Sequence, residues 1–377
     1  MRPVEMVDLK SQYAKIKPEI DAKIEEVIHA AAFINGSAVP EFQHALETWL
    51  GVKHVIPCGN GTDALQLALM ALGLQHGDEV ITVPFTFVAA AEVIALLGLT
   101  PVFVDVERDT FNMDAALLEA AITPRTRAII PVHLFGQCCD METVLKIARR
   151  HNLYVIEDAC QAIGATCTFS SGAVKHAGTI GDMGCTSFFP SKNLGCYGDG
   201  GALFTNNDTL AQQLRALASH GMLARYYHDM IGINSRLDTL QAAILSVKLK
   251  HLDEYIAARQ KAAAYYNQTL GHYASIEIPA VKPFTTHAYH QYTIKLKNSN
   301  RQSVIDKMTA KGIPVMIYYP VPLHLQKAFA FLALQAGSYP VAEALSQCVI
   351  SLPMHTELDE EQLEYVVKSL SEGLISH

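Results

Sequence analysis

Between residues 79 and 205 the chain repeats one alternation, a short apolar run followed by a stretch of helical period, and few architectures accept such a pattern. The strand-like runs fall at 79–84, 101–106, 127–134, 153–157, 185–189 and 201–205. Helical stretches intervene at about 62–72, 87–97, 114–121, 140–151 and 208–219. Strands joined through helices require crossover connections, which build a largely parallel sheet covered by helices on both faces. A further run at 55–57 brings the expected sheet to seven strands. No internal sequence repeat accompanies the alternation, so a solenoid is excluded.

On either side of this region the character changes. Residues 15–31 and 39–50 read as helices separated by a turn at Phe33-Ile-Asn-Gly36. From Asn234 onward a single long helix is expected over 237–267, then strands at 275–280 and 292–296, a helix at 302–311 and a strand at 315–319. Two helices near 340–348 and 359–373 close a smaller α+β unit. The expected division is a large domain at 1–245 and a small C-terminal domain at 246–377, with no low-complexity linker between them.

Composition removes several function classes. Half of the 377 residues are hydrophobic, enough for a substantial core, and the net charge of -8 argues against a general nucleic-acid binder. The opening Met-Arg-Pro-Val-Glu carries charges where a signal peptide needs an apolar run, so a cytoplasmic protein is expected. The most membrane-like stretch, 87–104, contains Glu92, Gly98 and Pro101 and reads as helix, turn and strand, with no membrane span. Eight cysteines show neither a disulfide framework nor metal-ligand spacing; Cys138 and Cys139 are adjacent, and no metal site is expected.

Three stretches carry chemistry. Lys192 lies in a glycine-rich loop, Gly184 to Gly201, among small and aromatic residues, where partial desolvation makes its amine a usable nucleophile; a solvated surface lysine is the alternative. Val155-Ile-Glu-Asp158 is an apolar run ending in carboxylates, as a buried parallel strand does at the mouth of a sheet. Alternation puts Glu157 and Asp158 on opposite sides, and Asp158 begins the turn that would overlie a ligand, unless it serves only as a helix cap. Gly59, Gly61 and Thr62 precede an apolar helix, whose start either binds an anion or is an ordinary capped turn. Lysine, strand-end acid and anion-binding helix start together suggest pyridoxal phosphate: a Schiff-base lysine, a carboxylate for the pyridinium nitrogen and a phosphate site. Ser187 is a further phosphate hydroxyl, and Gln161 a hydrogen-bond partner for the ring's phenolic oxygen. Phe85 and Phe87 both stand at a strand end, and Phe87 is taken as the aromatic that stacks on the ring.

The ordered segments Asn60-Gly-Thr-Asp-Ala-Leu65, Pro84-Phe-Thr-Phe87, Glu157-Asp-Ala-Cys-Gln161, Ser187-Phe-Phe-Pro-Ser-Lys192 and Asn234-Ser-Arg-Leu-Asp238 resemble the nucleotide-sugar aminotransferases of the DegT/DnrJ/EryC1/StrS family over essentially the whole chain. The resemblance implies a fold type I homodimer with shared active sites, covalent attachment of pyridoxal 5′-phosphate to Lys192, and the roles above for Gly61, Thr62, Asp158, Gln161 and Ser187. It implies that Asn234 reaches the phosphate bound by the neighbouring subunit. A branch of the family replaces the lysine by histidine and dehydrates its substrate; Lys192 is intact, which favours transamination.

Within the family, the segments around Lys192 and Asn234 are most similar to members that aminate C3 of a 3-keto sugar. These make the 3-amino derivative of UDP-N-acetylglucosaminuronic acid for lipopolysaccharide O-antigen, with L-glutamate as the amine source. Members acting at C4 carry a histidine early in the lysine segment, absent here. The similar C3 enzymes have histidine where this chain has Tyr318, so Tyr318 and Tyr319 are candidate substrate contacts that leave the sugar open. Arg236 is a candidate for an anionic part of the substrate, with an interface salt bridge as its alternative. The rival functions are amination at C4 and a cofactor-binding regulator without turnover. A nicotinamide-binding module is disfavoured, because Gly59-Asn-Gly61 lacks the third glycine of a dinucleotide fingerprint.

Overall fold

A computed structural model describes residues 2–374. Its frame is a seven-stranded sheet made of β1 (His54–Cys58), β2 (Glu79–Thr82), β3 (Thr100–Phe103), β4 (Thr126–Ile129), β5 (Tyr154–Asp158), β8 (Met183–Ser187) and β9 (Gly201–Thr205). Two short strands, β6 (Thr166–Thr168) and β7 (Val174–His176), form a hairpin between β5 and β8. The spatial order is β1-β9-β8-β5-β4-β2-β3, with β9 antiparallel to both its neighbours and every other pair parallel. The expected seven-stranded, largely parallel sheet is therefore what the chain forms. Helices α3 (Gly61–Ala71), α4 (Ala89–Leu96), α5 (Ala115–Leu118), α6 (Met141–His151) and α7 (Asp208–Leu217) occupy the expected connections. Their apolar faces and the buried strands share one core that runs from Ile56 through Ile129 and Ile156 to Leu214.

Two N-terminal helices, α1 (Leu9–Ala30) and α2 (Ala38–Leu50), pack against α8 (Thr239–Leu249). The expected single helix over 237–267 is two helices. After α8 the chain makes i→i+3 turns, Lys250 N–H to Val247 and His251 N–H to Lys248, before α9 (Leu252–Leu270) begins. No proline or glycine marks the break, so the sequence pattern runs through it. A hairpin of β10 (Met222–Ala224) and β11 (Tyr227–His228), also unforeseen, precedes α8.

The C-terminal unit holds a three-stranded sheet in the order β12 (Ile276–Glu277), β13 (Tyr292–Leu296), β14 (Val349–Leu352), backed by α9, α10 (Arg301–Ala310) and α12 (Glu360–Leu374), with α11 (Pro340–Cys348) leading into β14. Its core includes Tyr266, Tyr292, Ile350 and Val366, and Val4 joins it from the chain's other end. The strand expected at 315–319 is not one. Met316 makes a single bridge to Ser351, and the chain then turns toward Pro320 and Pro322, which have no N–H to offer a ladder. The strand β14 was not anticipated.

Close backbone approach holds the middle of the large sheet. Gly184, paired with Glu157 on one side and Phe204 on the other, leaves no room for a side chain: an added Cβ would lie 1.9 Å from the Gly178 carbonyl oxygen. Gly184→Ala is expected to destabilise the protein by about 3 kcal/mol or more, since backbone cannot yield as a side chain can. Gly73→Ala, at φ +61 with nothing within 4 Å, is expected to cost about 1 kcal/mol of conformational strain alone. Chemical denaturation checks the pair; a smaller loss for Gly184→Ala than for Gly73→Ala contradicts the packing argument.

Candidate active site

All the parallel strands end at one edge of the sheet, where a crevice opens outside their carboxyl termini. There, Gly61, Thr62, Phe87, Asp158, Gln161, Ser187, Lys192, Tyr318 and Tyr319 line one cavity of 420 Å³. Residues from five separate segments of the sequence thus meet. Asn234 and Arg236 do not line it: both are exposed in their own chain.

The acidic pair on β5 divides its labour as alternation predicts. Glu157 points into the protein, fully buried, and its carboxylate accepts hydrogen bonds from Gly178 N–H (3.0 Å), Ile180 N–H (2.5 Å), Gly181 N–H (2.7 Å) and His133 Nε2 (2.8 Å). His133 Nδ1 accepts from the Cys139 N–H at 3.1 Å, so the ring's proton sits on Nε2 and is donated to Glu157. Asp158, the next residue, faces the cavity, with one carboxylate oxygen accepting the Cys160 N–H at 3.1 Å. That leaves Asp158 free to hold a proton on a ligand.

Lys192 sits on the loop between β8 and β9. Its amide donates to the Phe189 carbonyl within the loop, and the neighbouring Asn193 donates to Ala288 O at 2.8 Å, tying the loop to the segment before β13. Burial pushes the Lys192 amine below its ordinary pKa, against the opposing pull of Cys160 and Asp158. Cys160, also on the wall, is held as the thiol: burial and then Asp158 push its pKa well up.

Helix α3 supplies the anion site. Asn60 caps it by accepting the Asp63 N–H at 2.8 Å, and the first-turn N–H groups of Gly61 and Thr62 have no partner within the helix. Gly61 is needed for close approach, since a Cβ there would come within 2.8 Å of Ser187 Cβ and 2.9 Å of Cys160 Sγ. The two phenylalanines separate cleanly. Phe85 is core, against Phe111 and Tyr319, whereas Phe87 is 56% exposed on the cavity rim. Gln161 is held from both sides, accepting the Phe135 N–H at 2.8 Å and donating to Tyr319 Oη at 3.0 Å. Burial raises the pKa of both Tyr318 and Tyr319, keeping them as phenols.

Sequence reasoning missed His290 and Gln291, which also line the cavity. They come from the stretch His287-Ala-Tyr-His-Gln-Tyr292, and an unusual density of polar rings just before a fully buried strand was the only signal. Burial, then Lys192 and Arg259, push the pKa of His290 well below the usual histidine value, so it is neutral. Its Nδ1, the Gln291 Oε1 and the Asn193 Oδ1 are buried without partners. Orphaned polar atoms, unpaired helix N–H groups, a hydroxyl, a cavity-facing carboxylate and a desolvated lysine fit pyridoxal phosphate. Among the described residues no group of three or more His, Cys, Asp or Glu could hold a metal, and no helix is long and apolar enough to cross a membrane.

Comparison with known proteins agrees with this geometry. Residues 14–371 match the DegT/DnrJ/EryC1/StrS aminotransferase family. The chain is 47% identical over 368 residues to the UDP-2-acetamido-2-deoxy-3-oxo-D-glucuronate aminotransferase of Pseudomonas aeruginosa, covering 98% of this chain and 99% of that protein. It is also 47% identical over 372 residues to a protein of Geobacillus stearothermophilus named a pleiotropic regulatory protein, covering 98% of each. In structure it superposes on S. venezuelae DesV, solved in complex with a ketimine intermediate, with a TM-score of 0.95, 37% identity and full coverage of both chains. The chain belongs to the DegT/DnrJ/EryC1/StrS aminotransferase family. It is a sugar-nucleotide aminotransferase, and its cofactor is pyridoxal 5′-phosphate, whose amine form PMP is bound in the similar ntda of Bacillus subtilis (TM-score 0.88, 31% identity, covering 98% of this chain and 83% of that one).

Asp158→Asn is expected to leave fold and cofactor content intact and to lower turnover at least tenfold. Asparagine fills the same space but cannot hold a pyridinium proton, and one unit of protonation preference is roughly a factor of ten. Circular dichroism, cofactor absorbance and steady-state rates check this together; near wild-type turnover would reduce Asp158 to a cap.

Proposed function

We propose that the protein transfers the amino group of L-glutamate to C3 of a UDP-3-keto-N-acetylglucosaminuronate-like sugar, for lipopolysaccharide O-antigen or another surface polysaccharide. The observation that carries the reading is the convergence of Lys192, Asp158, Gly61, Thr62 and Ser187 on one cavity. The regiochemistry draws its support from the Pseudomonas relative, whose name specifies a 3-oxo sugar. A cytoplasmic homodimer is part of the proposal.

When bound, pyridoxal phosphate contributes a carbonyl that takes up an amine and a protonated ring that draws electrons from the adjoining carbon. The chain's own residues do the rest. The N–H groups of Gly61 and Thr62 and the Ser187 hydroxyl receive the phosphate. Phe87 would cover one face of the ring, Gln161 would hydrogen-bond its phenolic oxygen, and Asp158 would keep the ring nitrogen protonated. Lys192 would hold the cofactor and, as a free amine, would carry the proton that leaves the donor's α-carbon. Its desolvated setting favours the neutral form that this task needs. Over the two halves glutamate leaves as 2-oxoglutarate and the keto sugar leaves as an amine.

Asn234 and Arg236 are exposed on the segment before α8, as residues lent to a neighbouring subunit would be. Asn234 would meet the partner's phosphate group and Arg236 an anionic part of the sugar nucleotide. Tyr318 and Tyr319, which line the cavity, would contact the sugar.

A second reading, a regulator without turnover, takes its support from the Geobacillus relative's name. The complete set of cavity residues favours turnover. Mass spectrometry of products from UDP- and dTDP-linked 3-keto and 4-keto sugars, each with glutamate, decides. Amination of the UDP-linked 3-keto sugar is expected, at a rate at least about tenfold above the 4-keto sugars, the discrimination of a single well-placed polar contact. Amination confined to 4-keto sugars overturns the regiochemistry, and no amination with any of them supports the regulator.

A further inference from the structure

Lys248 is buried to 1% exposure on α8, a helix whose residues are mostly buried, and among the described residues no acidic side chain forms an ion pair with it. Its ammonium donates to the Gly195 carbonyl at 2.5 Å and lies 5.2 Å from the centre of the Tyr197 ring. Gly195 and Tyr197 belong to the loop that carries Lys192. Two turns earlier on the same face of α8, Gln241 accepts the Tyr197 N–H at 2.9 Å. The helix therefore grips the loop twice, at a carbonyl and at an amide, three and five residues beyond Lys192.

Elsewhere the loop is held by the burial of Leu194 and Cys196 in the core, by Asn193 donating to Ala288 O and by the Cys196 thiol at Phe188 O, and none of these contacts reaches the Gly195 carbonyl. Cys196 N–H bonds back to Phe188 O and Phe188 N–H to Gly200 O, which close the loop at its base. Gly195 itself runs against its own chain, since a Cβ there would lie 2.4 Å from the Pro190 carbonyl oxygen. A buried lysine is a costly way to fill space: desolvation drives its pKa down to about 8, opposed by Cys196 and assisted by Arg259. An apolar residue of the same length would pack there without that penalty. What the apolar residue could not do is hold the Gly195 carbonyl.

We propose that Lys248 is a positioning residue for Lys192, fixing the β8–β9 loop through the Gly195 carbonyl so that the Lys192 amine is presented to the cofactor carbonyl. This rests on the reading of Lys192 as the attachment point. Lys248 touches neither cofactor nor substrate.

The test compares Lys248→Met, which keeps length and removes the donor, with Lys248→Gln, which keeps a donor without the charge. Hydrogen–deuterium exchange is measured in the apo-protein over residues 188–200 and over α8, and the rate of covalent cofactor uptake is followed by absorbance. In Lys248→Met the loop amides are expected to exchange about tenfold faster and cofactor uptake to slow about tenfold, the loss of one charge-assisted hydrogen bond. The α8 amides and thermal stability should match or exceed wild type, and kcat should fall with KM for the sugar unchanged. Lys248→Gln should recover at least part of both losses. If Lys248→Met does not fold, Lys248→Gln against wild type decides, with faster loop exchange and slower uptake expected. Wild-type exchange and uptake in the folded variants overturn the proposal, as does a loosened loop with undiminished uptake. Neither outcome touches the identity of the attachment lysine, which chemical labelling reads separately.

Discussion

Four hydrogen bonds converge on the Glu157 carboxylate, three from backbone N–H groups of the turn at 178–181 and one from His133. A buried carboxylate is tolerated only when its oxygens are satisfied in this way, and removing a donor would leave a desolvated charge uncompensated. The knot ties β5 to the turn that enters β8 and to the end of β4. Because successive side chains on a strand face opposite ways, fixing Glu157 inward obliges Asp158 to face the crevice. The direction in which the Asp158 carboxylate points is thus set one residue away, by a group that does not line the cavity.

A similar division of labour runs through the rest of the crevice. Asn60 caps α3 and leaves the next N–H groups for an anion. Asn193 and Lys248 secure the loop one and three residues beyond Lys192, while Arg259, buried, gathers the carbonyls of Tyr289, His290 and Met354 and so holds the segment that carries His290 and Gln291. Gly61, Asp158 and Lys192 on the cavity wall are each flanked by a residue whose side chain is fixed by hydrogen bonds, Asn60, Glu157 and Asn193. Rigid support of this kind is what a proton relay between fixed carbon atoms requires.

The sheet was legible because its signal is periodic: strands β2 to β5 alternate with helices, and their apolar runs stand out without any knowledge of partners. Asp158 could be preferred over Glu157 from alternation alone. Phe87 and Phe85 could not be separated that way, since both follow β2 and only packing against Phe111 and Tyr319 draws Phe85 inward. His290 and Gln291 escaped notice because a wall built from a distant segment leaves no local motif. Lys248 escaped for a different reason. In sequence it is one more charge on a helix, and its burial against Gly195, 53 residues away, exists only in three dimensions.

The account turns on Lys192 being the residue that holds the cofactor, and chemical trapping addresses this without any substrate. Borohydride reduction of the holoenzyme, followed by proteolysis and mass spectrometry, should place the pyridoxyl group on the peptide containing Lys192. A label on another lysine, or none in protein that retains its cofactor, would contradict the site as it is drawn here.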